Sequence, residues 1–142
     1  PVVVMLAAMI PVGQALETSG ISLNIANFIS TTTHGMALPW LILMVLVITM
    51  FVSDIVNNAA TAVIMAPIAA NLAMQVGQPV EPFLMAVAVG ASCAFLSPIG
   101  HQCNTLVMAP GNYKFGDYWR LGLPLEFVIV LISIPMILFV WT

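Results

Sequence analysis

With 62% hydrophobic and only 5% charged residues in a chain of 142, this sequence cannot cover itself with a wettable surface, which excludes a soluble globular domain. Two basic and five acidic side chains leave a formal charge of −3, too few groups to speak to nucleic acid, and form no basic patch, so no nucleic-acid partner is expected. Two cysteines, Cys93 and Cys103, supply neither a disulfide framework nor a metal cluster and read as buried free thiols.

The chain opens at Pro1 and runs directly into "VVVMLAAMIPV", without the charged start, short apolar core and cleavage site of a signal peptide. It therefore reads as a piece of a longer polytopic membrane protein, inserted by its own apolar segments. Residues 1–37 read as the end of one helix followed by an interfacial amphipathic helix. Its apolar positions are Ala15, Leu16, Ile21, Leu23, Ile25, Ala26, Phe28 and Ile29, with Gly20 between them. Residues 38–52 carry no charge and read as a transmembrane helix. Fifteen residues reach about 22 Å, short of the roughly 30 Å of hydrocarbon, so the segment must continue past Val52.

The continuation is polar. "SDIVNNA" interrupts the apolar run before "ATAVIMAPIAANLAM" resumes it, and 53–76 reads as a re-entrant hairpin whose second arm is bent or ended by Pro67. "QVGQPVEP" is a turn. Residues 83–109 form a second broken segment, interrupted at "SPIGHQCN" by Pro98 and Gly100. Residues 110–122 read as an interfacial loop, with Tyr113, Tyr118 and Trp119 as an aromatic belt and Lys114 and Arg120 favouring the cytoplasmic side. Residues 123–141 make the terminal spanning helix, kinked by Pro135. Each break holds an amide beside small residues, "NNAAT" and "HQCNT", as two polar interruptions converging on one place.

Irregular backbone at membrane depth must be buried in protein or line a wet cavity, and such broken segments mark the binding sites of secondary transporters. At the first break, Ser53, Asn57, Asn58 and Thr61 offer oxygens for an alkali cation, with interhelical hydrogen bonding as the competing role. Asp54 reads as the cap of the helix after it, with a charged ligand or proton carrier as the alternative. At the second break, a helix restarting near Asn104 presents its positive end beside His101, Gln102, Asn104 and Thr105, a setting for anions. His101 reads as a hydrogen-bonded structural histidine ahead of a proton shuttle. No phosphate loop, dinucleotide turn, metal cluster or nucleophile elbow is present, which speaks against an enzyme.

"SDIVNNAATAVIMAPIA" and "AVGASCAFLSPIGHQCNTLVMAPGNYKFGDYWRLGLPLE" together resemble the second half of the divalent anion:sodium symporter family, the citrate-transporter-like permeases of the ion transporter superfamily. The resemblance runs essentially end to end, with the two polar breaks as its specific part. It implies an all-α polytopic membrane fold, here one inverted repeat with a re-entrant helical hairpin and a broken transmembrane helix. Asn57, Asn58 and Ala59 occupy the family's Ser-Asn-Thr motif, whose central asparagine, Asn58, binds substrate beside the sodium site. Asn57, Asn58, His101, Gln102, Asn104 and Thr105 are the substrate-binding set so implied. Ser53, Val56, Asn58, Pro98, Gly100 and Asn104 are the sodium set, acting largely through backbone oxygens. The hydroxyl that meets a carboxylate in dicarboxylate carriers is missing at Ala59, and His101 with Gln102 departs from that type. This version looks like the branch that carries inorganic anions such as sulfate.

The resemblance implies sodium-coupled symport of a divalent anion by elevator-type alternating access in a multi-pass protein of the cell (inner) membrane. No organic cofactor and no metal other than Na+ are implied. The implied partners are the N-terminal half of the same transporter, a second copy in a homodimer, the lipid bilayer, and a small inorganic or dicarboxylate anion. Dicarboxylate or citrate symport, proton coupling, arsenite export and a non-transporting membrane subunit stay open as alternatives.

Overall fold

The computed structural model describes residues 2–32 and 35–141. Seven helices, with no strand among the described residues, run in order: α1 Val2–Thr18, α2 Ile21–Thr32, α3 Leu38–Ile55, α4 Asn58–Val76, α5 Glu81–Ala91, α6 Gln102–Met108 and α7 Phe115–Trp141. Three of them, α3, α4 and α7, are long and apolar enough to cross a membrane. At 11 residues α5 spans about 16 Å and cannot cross alone.

Local chemistry accounts for the interruptions. Gly20, at φ 71°, adopts the left-handed conformation that ends α1, so the region around it forms two helices and not one continuous amphipathic helix. The Val56 and Asn57 backbones are extended, and the Asn57 side chain accepts a hydrogen bond from the Ala60 amide at 2.9 Å, capping α4. Asp54, whose sequence setting suggests that cap, instead lies inside the last turn of α3. Pro67 neither bends α4 into two elements nor ends it, because the helix runs unbroken to Val76 before Gly77 terminates it. Segment 53–76 thus holds one break and one helix, so both arms of a hairpin do not fit inside it. Proline is tolerated in such a helix where neighbouring helices compensate for the lost hydrogen bond.

The terminal helix begins earlier than the sequence suggests. Asp117 accepts a hydrogen bond from the Lys114 backbone at 2.8 Å while its own amide donates to the Lys114 carbonyl, reaching back to the residue before the helix. Residues 115–122, read as loop, are therefore the first turns of α7. Pro124 and Pro135 both lie within the helix.

The core is built from α3, α4 and α5, with α3 packed most extensively on α5 and α2 on α4. Phe83, Leu41, Ile42, Leu46 and Leu72 are its fully buried large side chains. On α2 the inward positions are small, Ser22 and Ala26, while Ile21, Leu23, Ile25 and Phe28 face outward. That reverses a soluble amphipathic helix and suits close helix packing in lipid. Asn71 of α4 donates to the Ser22 hydroxyl at 3.3 Å across this contact. In the apolar stretch of α7 Ile137 is buried and Ile129, Val130, Ile134 and Leu138 are half-buried against the core, while most of the other side chains are exposed.

Removing the fully buried Phe83 ring leaves a cavity in the core. Phe83→Ala is expected to lower unfolding stability by about 3 kcal/mol in detergent unfolding titrations. Phe139→Ala, at a side chain 90% exposed, is expected to stay within about 0.5 kcal/mol of the parent.

Candidate functional site

Helix α3 stops at Ile55, leaving the carbonyls of its last turn without helical partners. The non-helical segment 92–101 between α5 and α6 is packed directly against them. Gly100 lies so close that a Cβ there would stand 2.7 Å from the Ser53 carbonyl oxygen and 3.0 Å from Asp54 Cα. Only a residue without a side chain fits. The Ser97 hydroxyl donates to the Asp54 carbonyl and accepts from the amides of Ile99 at 3.2 Å and Gly100 at 3.1 Å. Asp54, 6% exposed, accepts the Leu96 amide on Oδ1 at 3.0 Å.

From the other side Asn104 holds the same segment, its amide donating to the carbonyls of Ala94 at 3.0 Å and Ser97 at 3.4 Å. The Thr105 hydroxyl donates to the Pro98 carbonyl at 2.6 Å, and Tyr118 of α7 donates to the Asn104 carbonyl at 2.8 Å. The two breaks are therefore one structure. Ser53, fully buried, lies 2.8 Å from the Ala91 carbonyl and 3.1 Å from Asn58 Oδ1, so its one proton is shared between two acceptors. That contact joins the start of α4 to the end of α5.

Of the residues singled out in the sequence, Ser53, Asn58, Pro98, Gly100 and Asn104 are gathered in this clasp. Val56 contributes extended backbone at its edge. Asn57 is exposed and occupied as a cap. The His101 ring accepts the Cys103 amide on Nδ1 at 3.2 Å, which makes it the cap of α6. Gln102 opens α6, and its side chain lies outside the described part of the structure. Thr61 is fully buried, and its hydroxyl has no hydrogen-bond partner among the described residues. Cys93 is buried as read, whereas Cys103 is exposed, because it sits on the outer side of the short helix α6. Among the described residues no three His, Cys, Asp or Glu side chains group as a metal site.

Two side chains escaped the sequence reading. Ser97 was hidden because its acceptor, the Asp54 carbonyl, becomes a neighbour only when the loop folds over α3. Glu126 had a signal, as the lone acid of an otherwise apolar terminal helix. It faces a cavity of about 300 Å³ between α3 and α7, with Leu43, Val47, Met50 and Phe51. A second cavity of about 300 Å³ lies where α6 meets α7, with Asn104, Phe95 and Tyr118 in its wall. Asn57 and Asn58 line neither of these two.

The whole chain, residues 1–142, matches the family model described as citrate transporter. It belongs to the citrate transporter family. Relatives of this citrate transporter family chain include an uncharacterized transporter of Synechocystis, 35% identical over 140 residues that cover 99% of this chain and 23% of the relative. A probable sodium/sulfate cotransporter of Chlamydomonas reinhardtii is 32% identical over 133 residues, covering 90% of this chain and 14% of the relative. A sodium-dependent high-affinity dicarboxylate transporter of Caenorhabditis elegans is 32% identical over 123 residues, covering 85% and 21%. The chain thus spans less than a quarter of the length of these relatives. Membership in a transporter family fits the three helices long and apolar enough to span a bilayer.

Asn104→Ala removes both side-chain donors that hold the loop carbonyls. Leaving such groups unpaired costs about 1–3 kcal/mol, so the amides of residues 94–100 are expected to exchange hydrogen roughly ten- to a hundredfold faster. Hydrogen-exchange mass spectrometry checks this, and unchanged protection would mean that the asparagine does not hold the loop.

Proposed function

We propose that this chain is the C-terminal repeat of a sodium-coupled symporter for a divalent anion, with a sulfate-like inorganic anion favoured. The observation that carries the reading is the clasp itself. Two helix breaks are buried against each other and present freed backbone carbonyls, the Asn58 amide and the Ser53 hydroxyl in one place. Such an oxygen-rich cluster is what a weakly held alkali cation needs, and unwound carbonyls at helix breaks are the usual means of holding one in secondary transporters. In this reading Ser53, Val56, Asn58, Pro98, Gly100 and Asn104 hold sodium. Asn57, Asn58, His101, Gln102, Asn104 and Thr105 face the anion. The His101 cap and the Thr105 bond to Pro98 place those two side chains as supports of the loop in this state.

In the same proposal α3 and α4 are the arms of a re-entrant hairpin with Val56 and Asn57 at its tip. Helix α5, the 92–101 loop and α6 form the broken transmembrane helix, and α2 lies along the membrane interface. Hairpin and broken helix move together as an elevator against a scaffold, within a homodimer completed by the other repeat. The names of relatives support both anion classes, since one is called a sodium/sulfate and another a dicarboxylate transporter. The missing hydroxyl at Ala59 favours the inorganic anion, and dicarboxylate symport is the second reading.

Uptake of labelled sulfate and succinate by the intact parent transporter in proteoliposomes, with and without an inward sodium gradient, tests the assignment. Sodium-dependent sulfate uptake is expected, and sulfate uptake indifferent to sodium would refute the coupling. Asn58→Ala is expected to cut sodium-dependent uptake at least about tenfold, since losing a ligand worth 1.4 kcal/mol is already a factor of ten. Ala59→Thr is expected to raise the succinate-to-sulfate ratio, and an unchanged ratio would count against the role given to that position.

A further inference from the structure

Helix α6 carries Asn104 and Thr105 into the clasp, yet it is only seven residues long and, among the described residues, packs closely on no other helix. A helix of two turns has little stability of its own, so outside contacts set where it points. Asn104 and Thr105 tie it to the carbonyls of Ala94, Ser97 and Pro98, but these belong to a segment that is itself irregular. Towards α7 a cavity of about 300 Å³ takes the place of packed side chains, with Asn104, Val107, Leu121 and Leu125 in its wall. The Tyr118 hydroxyl bridges α7 and α6 there, donating to the Asn104 carbonyl at 2.8 Å.

Tyr118 is itself firmly placed. Its ring meets Tyr113 edge-on, with 6.2 Å between centroids and 67° between planes, and Asp117 beside it secures the first turn of α7 through the Lys114 amide. Gly122 comes four residues later and therefore lies on the same face of α7. It is pressed on the loop so closely that a Cβ there would stand 2.5 Å from the Phe95 carbonyl oxygen. Phe95 lies between Ala94 and Ser97, the two residues whose carbonyls Asn104 holds. Loop, α6 and α7 thus close a triangle, and the Tyr118 hydrogen bond is the side that fixes α6 against α7.

We propose that Tyr118 is a positioning residue for the ion and anion site, its hydroxyl holding the α6 backbone so that Asn104 stays turned on the loop. The inference rests on the role given to Asn104 in the symport proposal. Tyr118 touches neither ligand and acts through Asn104, which belongs to both ligand sets. Losing the hydroxyl therefore weakens the binding of sodium and anion together while the saturated transport rate is kept.

The test compares the full-length transporter with its Tyr118→Phe variant, which keeps the ring, its contact with Tyr113 and the cavity wall and removes only the hydroxyl. In proteoliposomes the half-saturating concentrations of sodium and of labelled sulfate or succinate, whichever the parent carries, are expected to rise roughly two- to tenfold, the worth of one hydrogen bond, at an unchanged saturated rate. Hydrogen exchange at residues 94–108 is expected to quicken by a similar factor. Leu121→Ala enlarges the same cavity without touching the hydrogen bond and is expected to keep the parental half-saturation. A Tyr118→Phe protein with parental half-saturation overturns the proposal, as does a loss confined to the saturated rate. Equal shifts in Leu121→Ala and Tyr118→Phe also overturn it, because packing and not the hydroxyl would then set the site. Parental uptake that ignores sodium sinks the symport reading instead. The anion half-saturation and the exchange at 94–108 then decide the role of Tyr118, and both unchanged in Tyr118→Phe would end it.

Discussion

Everything in this structure depends on how the backbone groups freed at two helix breaks are satisfied without water. A buried amide or carbonyl left unpaired costs several kcal/mol. The fold meets this constraint by facing one break with the other. Ser97 closes on the Asp54 carbonyl, Asp54 closes on the Leu96 amide, and Asn104 gathers the carbonyls of Ala94 and Ser97. Neither break could exist alone, because each supplies the partners that the other lacks.

The same exchange of partners explains why the polar residues here are so local in effect and so few. Most of them are engaged with main chain and not with one another, which fixes the path of the loop. The apolar framework around it is close-packed where α3 meets α5 and thin along α7. A rigid centre is thereby joined to a helix whose outer face is available to lipid or to the rest of a protein several times longer than this chain.

Much of this could be read in the sequence. The charge-poor composition, the Asn57 and Asn58 pair after an apolar run, and Pro98 with Gly100 in a second run located the breaks, since these residue types interrupt helices for local reasons. Partners set by the tertiary fold could not be read. Asp54 has the local look of a helix cap, yet Asn57 takes that role because its side chain reaches the Ala60 amide, and Asp54 is left to bind an amide 42 residues away. The start of α7 was obscured because glycine and aromatic residues suggest a loop, while the decisive contact is one hydrogen bond from the Lys114 amide to the Asp117 carboxylate. Gly20 was seen, but its left-handed backbone was not, so the amphipathic helix was read through the point where α1 ends and α2 begins.

The contact at Gly122 has a mechanical consequence. Where two main chains touch with no side chain between them, there is no flexible layer to absorb sliding or rotation, and close-packed protein shifts between discrete arrangements instead of deforming smoothly. The first turns of α7 and the 92–101 loop are accordingly one lever. A displacement of the loop would carry the first turns of α7 with it, while Pro124, which removes a helical hydrogen bond, marks where the rest of that helix can bend separately.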